Sequence, residues 1–420
     1  MRGVAISTAM LLGGLTCTAP APVPEAVSSI VRTGAERLAD EGFTRLAGRR
    51  IGLIANHTSR VDSVHLADRL AEAGISLVAL FGPEHGMRGD AAAGAEVADG
   101  RDLRTGVPVY SLYGSQRRPS PAHLADVDVL VFDIQDVGAR FYTYISTMGL
   151  AMQAAAEAGV EFLVLDRPNP LGGDLVEGFV LEEDQASFVG AYPIPIVHGL
   201  TVGELARMVQ GEQWLDGLDA LVLDVVPMTG WRRKMKWTDI GRPWIPTSPN
   251  IPDAETAYLY PGTCLFEAVA ASEGRGTPES FRLLGAPWVD AGRLADTLEA
   301  AAWPGLRADP TTFTPEPMPG RADAPRFAHQ PLHGVRLGVT DAGALRPVAV
   351  GVALVEAFYR QAPPNVRAEF LNAEWMDRLA GTRRLRVQLT EGVPAREIAA
   401  GWGAEVEAFR LRRAPYLLYD

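Results

Sequence analysis

Residues 77–89 read LVALFGPEHGMRG. The apolar run 77–81 is closed by Gly82 and Pro83; Glu84 and His85 follow, then Gly86 and Gly89. A short apolar run stopped by Gly and Pro is the pattern of a strand buried in a parallel sheet. Open α/β sheets hold their ligands just beyond the carboxyl ends of such strands, which is where Glu84 and His85 fall. The glycines let the backbone turn tightly and come close to a bound molecule. Glu84 is therefore the leading candidate for an acid–base residue. The plainer reading, that Glu84 and His85 only cap the loop, stands beside it.

Working outward, the same grammar repeats. Residues 50–55, 108–112, 127–134 (VDVLVFDI), 161–166 (EFLVLD) and 220–226 are further short strands, with VDVLVFDI the clearest. Helical spacing lies between them, at Leu66 and Leu70 and at Ile145, Met148, Met152 and Ala156. A helix is also expected over residues 27–40. Strands alternating with helices imply βαβ units and a mostly parallel sheet with right-handed crossovers. Polar loops follow the strand ends (NHTS, GPEHG, DIQDVGARFYTY, DRPNP) and should converge on one sheet edge. No G-x-G-x-x-G stands between a first strand and its helix, and no phosphate-binding G-x-x-x-x-G-K occurs, so no cofactor is expected. Residues 305–332 are Pro-rich and read as an irregular connection. From His333, GVRLGVTD alternates as a half-buried strand, and residues 346–359, 395–402 and 405–413 read as helices. The expected architecture is α/β. Residues 1–24 are a signal segment and linker, 25–285 a Rossmann-like domain, and 286–420 a smaller α+β domain, with the active-site cleft between the two domains.

The 420 residues suffice for two domains and a large core. A net charge of −12 argues against a nucleic-acid partner, which calls for a basic face. Two cysteines, Cys17 and Cys264, cannot make a disulfide scaffold; Cys264 is expected to be buried and inert. Arg2, the apolar run 4–15 and the small residues after it resemble an export signal. Cys17 follows Gly-Leu-Thr, similar to a bacterial lipoprotein signal, although Thr16 stands where a smaller residue is usual. A lipid anchor at Cys17 thus stays open beside ordinary cleavage. No run is long enough to span a bilayer.

Other loops offer further groups. Asp136, Arg140, Tyr142 and Tyr144 follow the clearest strand; aromatic faces stack on sugars and Arg pairs with carboxylates. An Asp136–Arg140 pair on a first helical turn is the structural alternative. Asp166 and Asn169 lie in a loop stiffened by two prolines. Asn250 sits in PTSPNIP, read mainly as a rigid wall. Glu273 and Arg275 in SEGRGT suit recognition of a polar, anionic ligand. His57 and His85 with an Asp might suggest a metal, but there is no H-E-x-x-H, no H-x-H and no cysteine cluster. No G-x-S-x-G elbow places a nucleophilic serine.

Eight segments in order, GLIANHTS, LFGPEHGMRG, DIQDVGARFYTYISTM, DRPNPLGG, PTSPNIP, YPGTCLFE, SEGRGT and RRAPYLLY, resemble the NamZ-like exo-β-N-acetylmuramidase family over residues 35–420. The resemblance implies an envelope or secreted glycosidase that releases N-acetylmuramic acid from non-reducing ends of peptidoglycan fragments. Glycosidic cleavage generally takes two carboxyl groups: Glu84 is assigned as the general acid, and Asp136, Asp166 or Glu273 as the second group. Unless the sugar's own acetamido group takes that part, one of these must supply it. The lactyl carboxylate of muramic acid calls for a cation, with Arg275 and Arg140 as candidates, and Tyr110, Tyr142 and Tyr144 are candidates for stacking on the ring. Two other classes fit the residues. One is a metal-dependent hydrolase of an envelope ester or amide, using His57, His85 and an Asp. The other is a non-catalytic lipoprotein that binds muramyl glycans.

Overall fold

A computed structural model describes residues 1, 3–5, 30–89 and 99–420. The N-terminal apolar run from residue 6 on, Cys17 and the linker before residue 30 lie outside the described residues. The centre is a seven-stranded sheet. Its strands are β1 (Arg50–Ala55), β2 (Ser76–Gly82), β3 (Gly100–Arg101), β4 (Pro108–Ser111), β5 (Val129–Asp133), β6 (Glu161–Leu165) and β7 (Leu223–Val226). Their spatial order is β7-β6-β5-β1-β2-β4-β3, all parallel except the two-residue edge strand β3. Leaving β3 aside, the strand order is that of a doubly wound sheet. Its reversal point lies between β1 and β5, where such sheets form a crevice.

Residues within a strand alternate between two cores. Leu53, Leu80, Val129 and Val131 meet α1 (Gly34–Asp40) and α2 (Leu66–Glu72) on one face. Ile54, Phe81, Leu130 and Phe132 meet α3 (Tyr144–Ala158) and α4 (Val202–Gly211) on the other. Burial on both faces is why these strands read as unbroken apolar runs. The first helix is shorter than expected. Thr33 caps it by accepting from the Glu36 amide, and Glu36 reaches back to the Thr33 amide, so the helix cannot begin before Gly34.

The C-terminal half carries an antiparallel sheet in the order β8 (Leu283–Ala286), β10 (Leu332–Val339), β9 (Leu306–Phe313). The expected irregular connection over 305–332 therefore contains a strand. Its sequence hides it, because β9 is an edge strand, with no fully buried residue and with Pro310 inside it. Proline is tolerated where one side of a strand lacks a partner. Helices α5 (Ala254–Thr263), α6 (Pro347–Gln361) and α7 (Ala373–Ala380) complete the part of this half that matters for the site.

The two halves are tightly joined. Within the C-terminal half, a methyl group added at Gly351 in α6 would lie 2.4 Å from Gly262 Cα in α5, so these two backbones are in direct contact and α6 offers a firm seat for the other half. The Glu177 carboxylate accepts from the Val348 and Ala349 amides at the start of α6, at 3.2 and 2.8 Å. No helix among the described residues is long and apolar enough to cross a membrane.

Candidate active site

A cleft of about 460 Å³ opens where the carboxyl edge of the sheet faces the C-terminal half. That size suits a small-molecule site. The wall on the sheet side is built from three strand ends. Beyond β2, Pro83 and a left-handed backbone at His85 (φ 72°) turn the chain so that half-buried Glu84 reaches the cleft. Non-glycine residues adopt that conformation uncommonly, histidine more readily than most, and the tight turn brings Glu84 to the cleft. Beyond β4 comes Tyr113, and beyond β5 come residues 141–144 at the start of α3. The Thr143 hydroxyl donates to Glu84 Oε2 at 3.0 Å. Tyr113 also hydrogen-bonds Glu84; burial and that carboxylate's charge push the phenol up to about 12. Tyr142 and Tyr144 cross edge to face at 5.0 Å. Their hydroxyls donate to Thr247 Oγ1 and to the Thr247 carbonyl, both at 2.9 Å, which ties this wall to PTSPNIP.

The opposite wall holds Tyr260 from α5, Glu267 just after it, Glu273, Arg275, Arg326 and Trp375 near the start of α7. Arg275 lies between two carboxylates, with Nη2 at 2.7 Å from Glu267 and Nε at 3.2 Å from Glu273. Its guanidinium lies over the Phe281 ring. Burial pushes the Glu273 carboxyl above the usual range, against the pull of Arg275.

Of the residues singled out from sequence, the structure gathers Glu84, His85, Tyr142, Tyr144, Glu273 and Arg275 in this cleft. It places the others in the scaffold. Asp136 is buried, its Oδ1 accepting from the Gly138 amide at 2.7 Å. Instead of pairing with Asp136, fully buried Arg140 donates to the carbonyls of Phe179, Ile194 and Leu379. Asp166 accepts from the Arg167 and Gly203 amides, from Thr201 Oγ1 and from the Tyr419 hydroxyl. Asn169 donates to the Leu200 carbonyl, and Asn250 donates to the Arg321 carbonyl. Tyr110 lies on β4 itself, stacked on His123 at 3.9 Å. The His57 Nε2 engages the Pro246 carbonyl at 2.5 Å. Among the described residues, no group of three or more His, Cys, Asp or Glu side chains is placed to hold a metal ion. Cys264 is buried.

Tyr113, Thr143, Glu267, Arg326 and Trp375 are among the cleft residues that were not singled out from sequence. Thr143 stands between the two chosen tyrosines, and Glu267 ends the YPGTCLFE segment, so both had a local signal. Arg326 and Trp375 had none, since only the fold of the C-terminal half brings them to the cleft.

Carboxyl groups on both walls of one cleft, at the carboxyl edge of a doubly wound sheet, are an arrangement suited to acid–base chemistry on a polar small molecule. Comparisons with known proteins name the family. The description "Exo-beta-N-acetylmuramidase NamZ, N-terminal" matches residues 51–255, and its C-terminal counterpart matches residues 258–419. The chain belongs to the NamZ exo-β-N-acetylmuramidase family. It is 42% identical to the peptidoglycan β-N-acetylmuramidase NamZ of Bacillus subtilis strain 168, over 98% of this chain and 97% of that protein. Two crystal structures of DUF1343 family proteins from Bacteroides fragilis NCTC 9343 are also similar. One has a TM-score of 0.85 at 38% identity and the other 0.77 at 36%, each covering 93% of this chain and 99% of the other.

Proposed function

We propose that this protein is an exo-acting glycosidase that releases N-acetylmuramic acid from the non-reducing ends of peptidoglycan fragments. The observation that carries the reading is the pair of carboxyl groups, Glu84 and Glu273, on opposite walls of one cleft in a chain that matches the muramidase family along nearly its whole length. Glu84, oriented by Thr143 and Tyr113, protonates the leaving glycosidic oxygen. As the C1–O bond breaks, positive charge grows on the sugar ring, and Glu273 on the far wall is the group that answers it. Arg275 holds Glu273 and Glu267 in place. The linkage of the substrate to the cell wall, together with Arg2 and the apolar run after it, supports an exported protein, with Cys17 a candidate lipid anchor.

The test uses two leaving groups. The purified protein should cleave a chromogenic β-N-acetylmuramide and leave the matching β-N-acetylglucosaminide largely untouched. Glu84→Gln should lose most turnover on a natural disaccharide yet recover much of it on a dinitrophenyl muramide, whose leaving group needs no proton. Glu273→Gln should lose turnover on both. Equal losses for Glu84→Gln on both substrates would sink the acid assignment. A wild-type protein inert on every muramide would sink the activity.

A further inference from the structure

We infer that Arg326, a residue outside every motif of the chain, is the cation that reads the lactyl carboxylate of the muramyl ring. The inference rests on the muramidase reading above and adds its specificity determinant. It comes from counting charges in the cleft. The lining holds three carboxylates, Glu84, Glu267 and Glu273, against two guanidinium groups, Arg275 and Arg326. Arg275 is bonded to two of those carboxylates. That trio carries a net negative charge, so an incoming anion gains little from it and would have to displace a carboxylate already in place.

Arg326 is different. None of its hydrogen bonds goes to a carboxylate: Nη1 donates to the carbonyls of Val269 and Ala271, and Nη2 makes a long contact of 3.4 Å to the Glu267 carbonyl. Among the described residues its hydrogen bonds go to carbonyls alone, and Glu273 feels it only through space. A guanidinium carries five N–H donors in a planar fork suited to a carboxylate. Three carbonyl contacts leave two donors for a ligand, and the charge is shared only through space with Glu273, whose carboxyl it draws down. The carbonyls also fix the group without neutralising it, which is the condition for recognising an anion rather than merely attracting one. Arg140, the other cation considered from sequence, is fully buried behind three carbonyls.

N-acetylmuramic acid differs from N-acetylglucosamine by its lactyl ether, and masking the acid as a methyl ester removes the charge while keeping the shape. Binding of free N-acetylmuramic acid and of its lactyl methyl ester would be measured by calorimetry on the whole protein. The variants are Arg326→Gln, Arg326→Lys and Arg275→Gln. The wild type should prefer the acid to the ester by about 10- to 100-fold, the range expected of a charge-assisted pair. Arg326→Gln should erase that preference by weakening the acid alone, and Arg326→Lys should restore part of it. Arg275→Gln should weaken acid and ester together. Equal loss of both ligands in Arg326→Gln, or an undiminished preference for the acid, overturns the assignment. Turnover of a chromogenic muramide by the wild type is followed separately. Its failure would count against the glycosidase reading while the binding comparison still decides the role of Arg326.

Discussion

The loop after β2 and the loop after β6 share one grammar and have opposite fates. Each follows a buried parallel strand, contains proline and carries an acidic residue near the strand end: Glu84 in 83–86, Asp166 in 166–170. Glu84 is half-buried and faces the cleft. Asp166 is fully buried and bonded by two backbone amides and the hydroxyls of Thr201 and Tyr419. The difference lies in what stands opposite. Across from β2 is the acidic and basic wall of the C-terminal half. Across from β6 are the start of α4 and the segment around Tyr419, which engage both oxygens of Asp166. A polar strand-end loop thus becomes a site only where another part of the fold leaves space in front of it.

That contrast is open to direct attack. The largest effect is expected from Glu84→Gln, which should cut turnover of a natural muramyl disaccharide by about 10²- to 10⁴-fold. The urea midpoint should move little, because glutamine keeps the size of the side chain and an oxygen that can accept from Thr143 or Tyr113. The scaffold loop should behave in the opposite way. Arg167 pairs with fully buried Asp133 at 2.6 Å, and Arg167→Ala leaves that carboxylate without its cation. Breaking such a pair costs about 3–5 kcal/mol, readable as a fall in the urea midpoint, with turnover per folded molecule unchanged.

A third outcome concerns pH. Burial pushes the Asp136 carboxyl up to about 7, against the pull of the Gly138 and Val137 amides. The native protein therefore binds more protons here than the unfolded chain, whose aspartates titrate near 4. Stability from this group is fully present below about pH 4 and is lost as pH rises toward about 7. Asp136→Asn should flatten that slope and raise stability at pH 8 by roughly 1–3 kcal/mol, measured as urea midpoints across pH 5–8. A steeper decline in the variant would refute it. The smallest effect is expected from Thr143→Val, which removes one hydrogen bond to Glu84 and should slow turnover only about threefold to tenfold.

Much of this was legible in the sequence, for a physical reason. Strands buried on both faces must be apolar throughout, so 129–133 and 161–165 announce themselves, and the polar residues after them mark the sheet edge. Strand β9 shows the limit, because an exposed edge strand needs neither an apolar run nor a complete set of amides. The site was legible by halves. Glu84, Glu273 and Arg275 lie on small-residue loops whose chemistry shows in the local pattern. Tyr110 and Tyr113 look alike in sequence, yet only the second lies beyond the end of its strand. Whether a charged residue such as Arg140 or Arg326 serves the core or the cleft depends on distant partners, and no local pattern carries that information.

The clasp of Glu177 on the start of α6 has a consequence for anyone who wishes to re-engineer the enzyme. With Glu177 of the sheet-bearing half fastened to the first turn of α6, and α6 seated backbone to backbone on α5, which carries Tyr260 into the cleft, the jaws of the cleft are held to one gauge. Widening the bite toward bulkier glycans or attached stem peptides cannot be done by loosening a joint. It has to be done by filing the teeth, at rim side chains such as Val189 and Trp375.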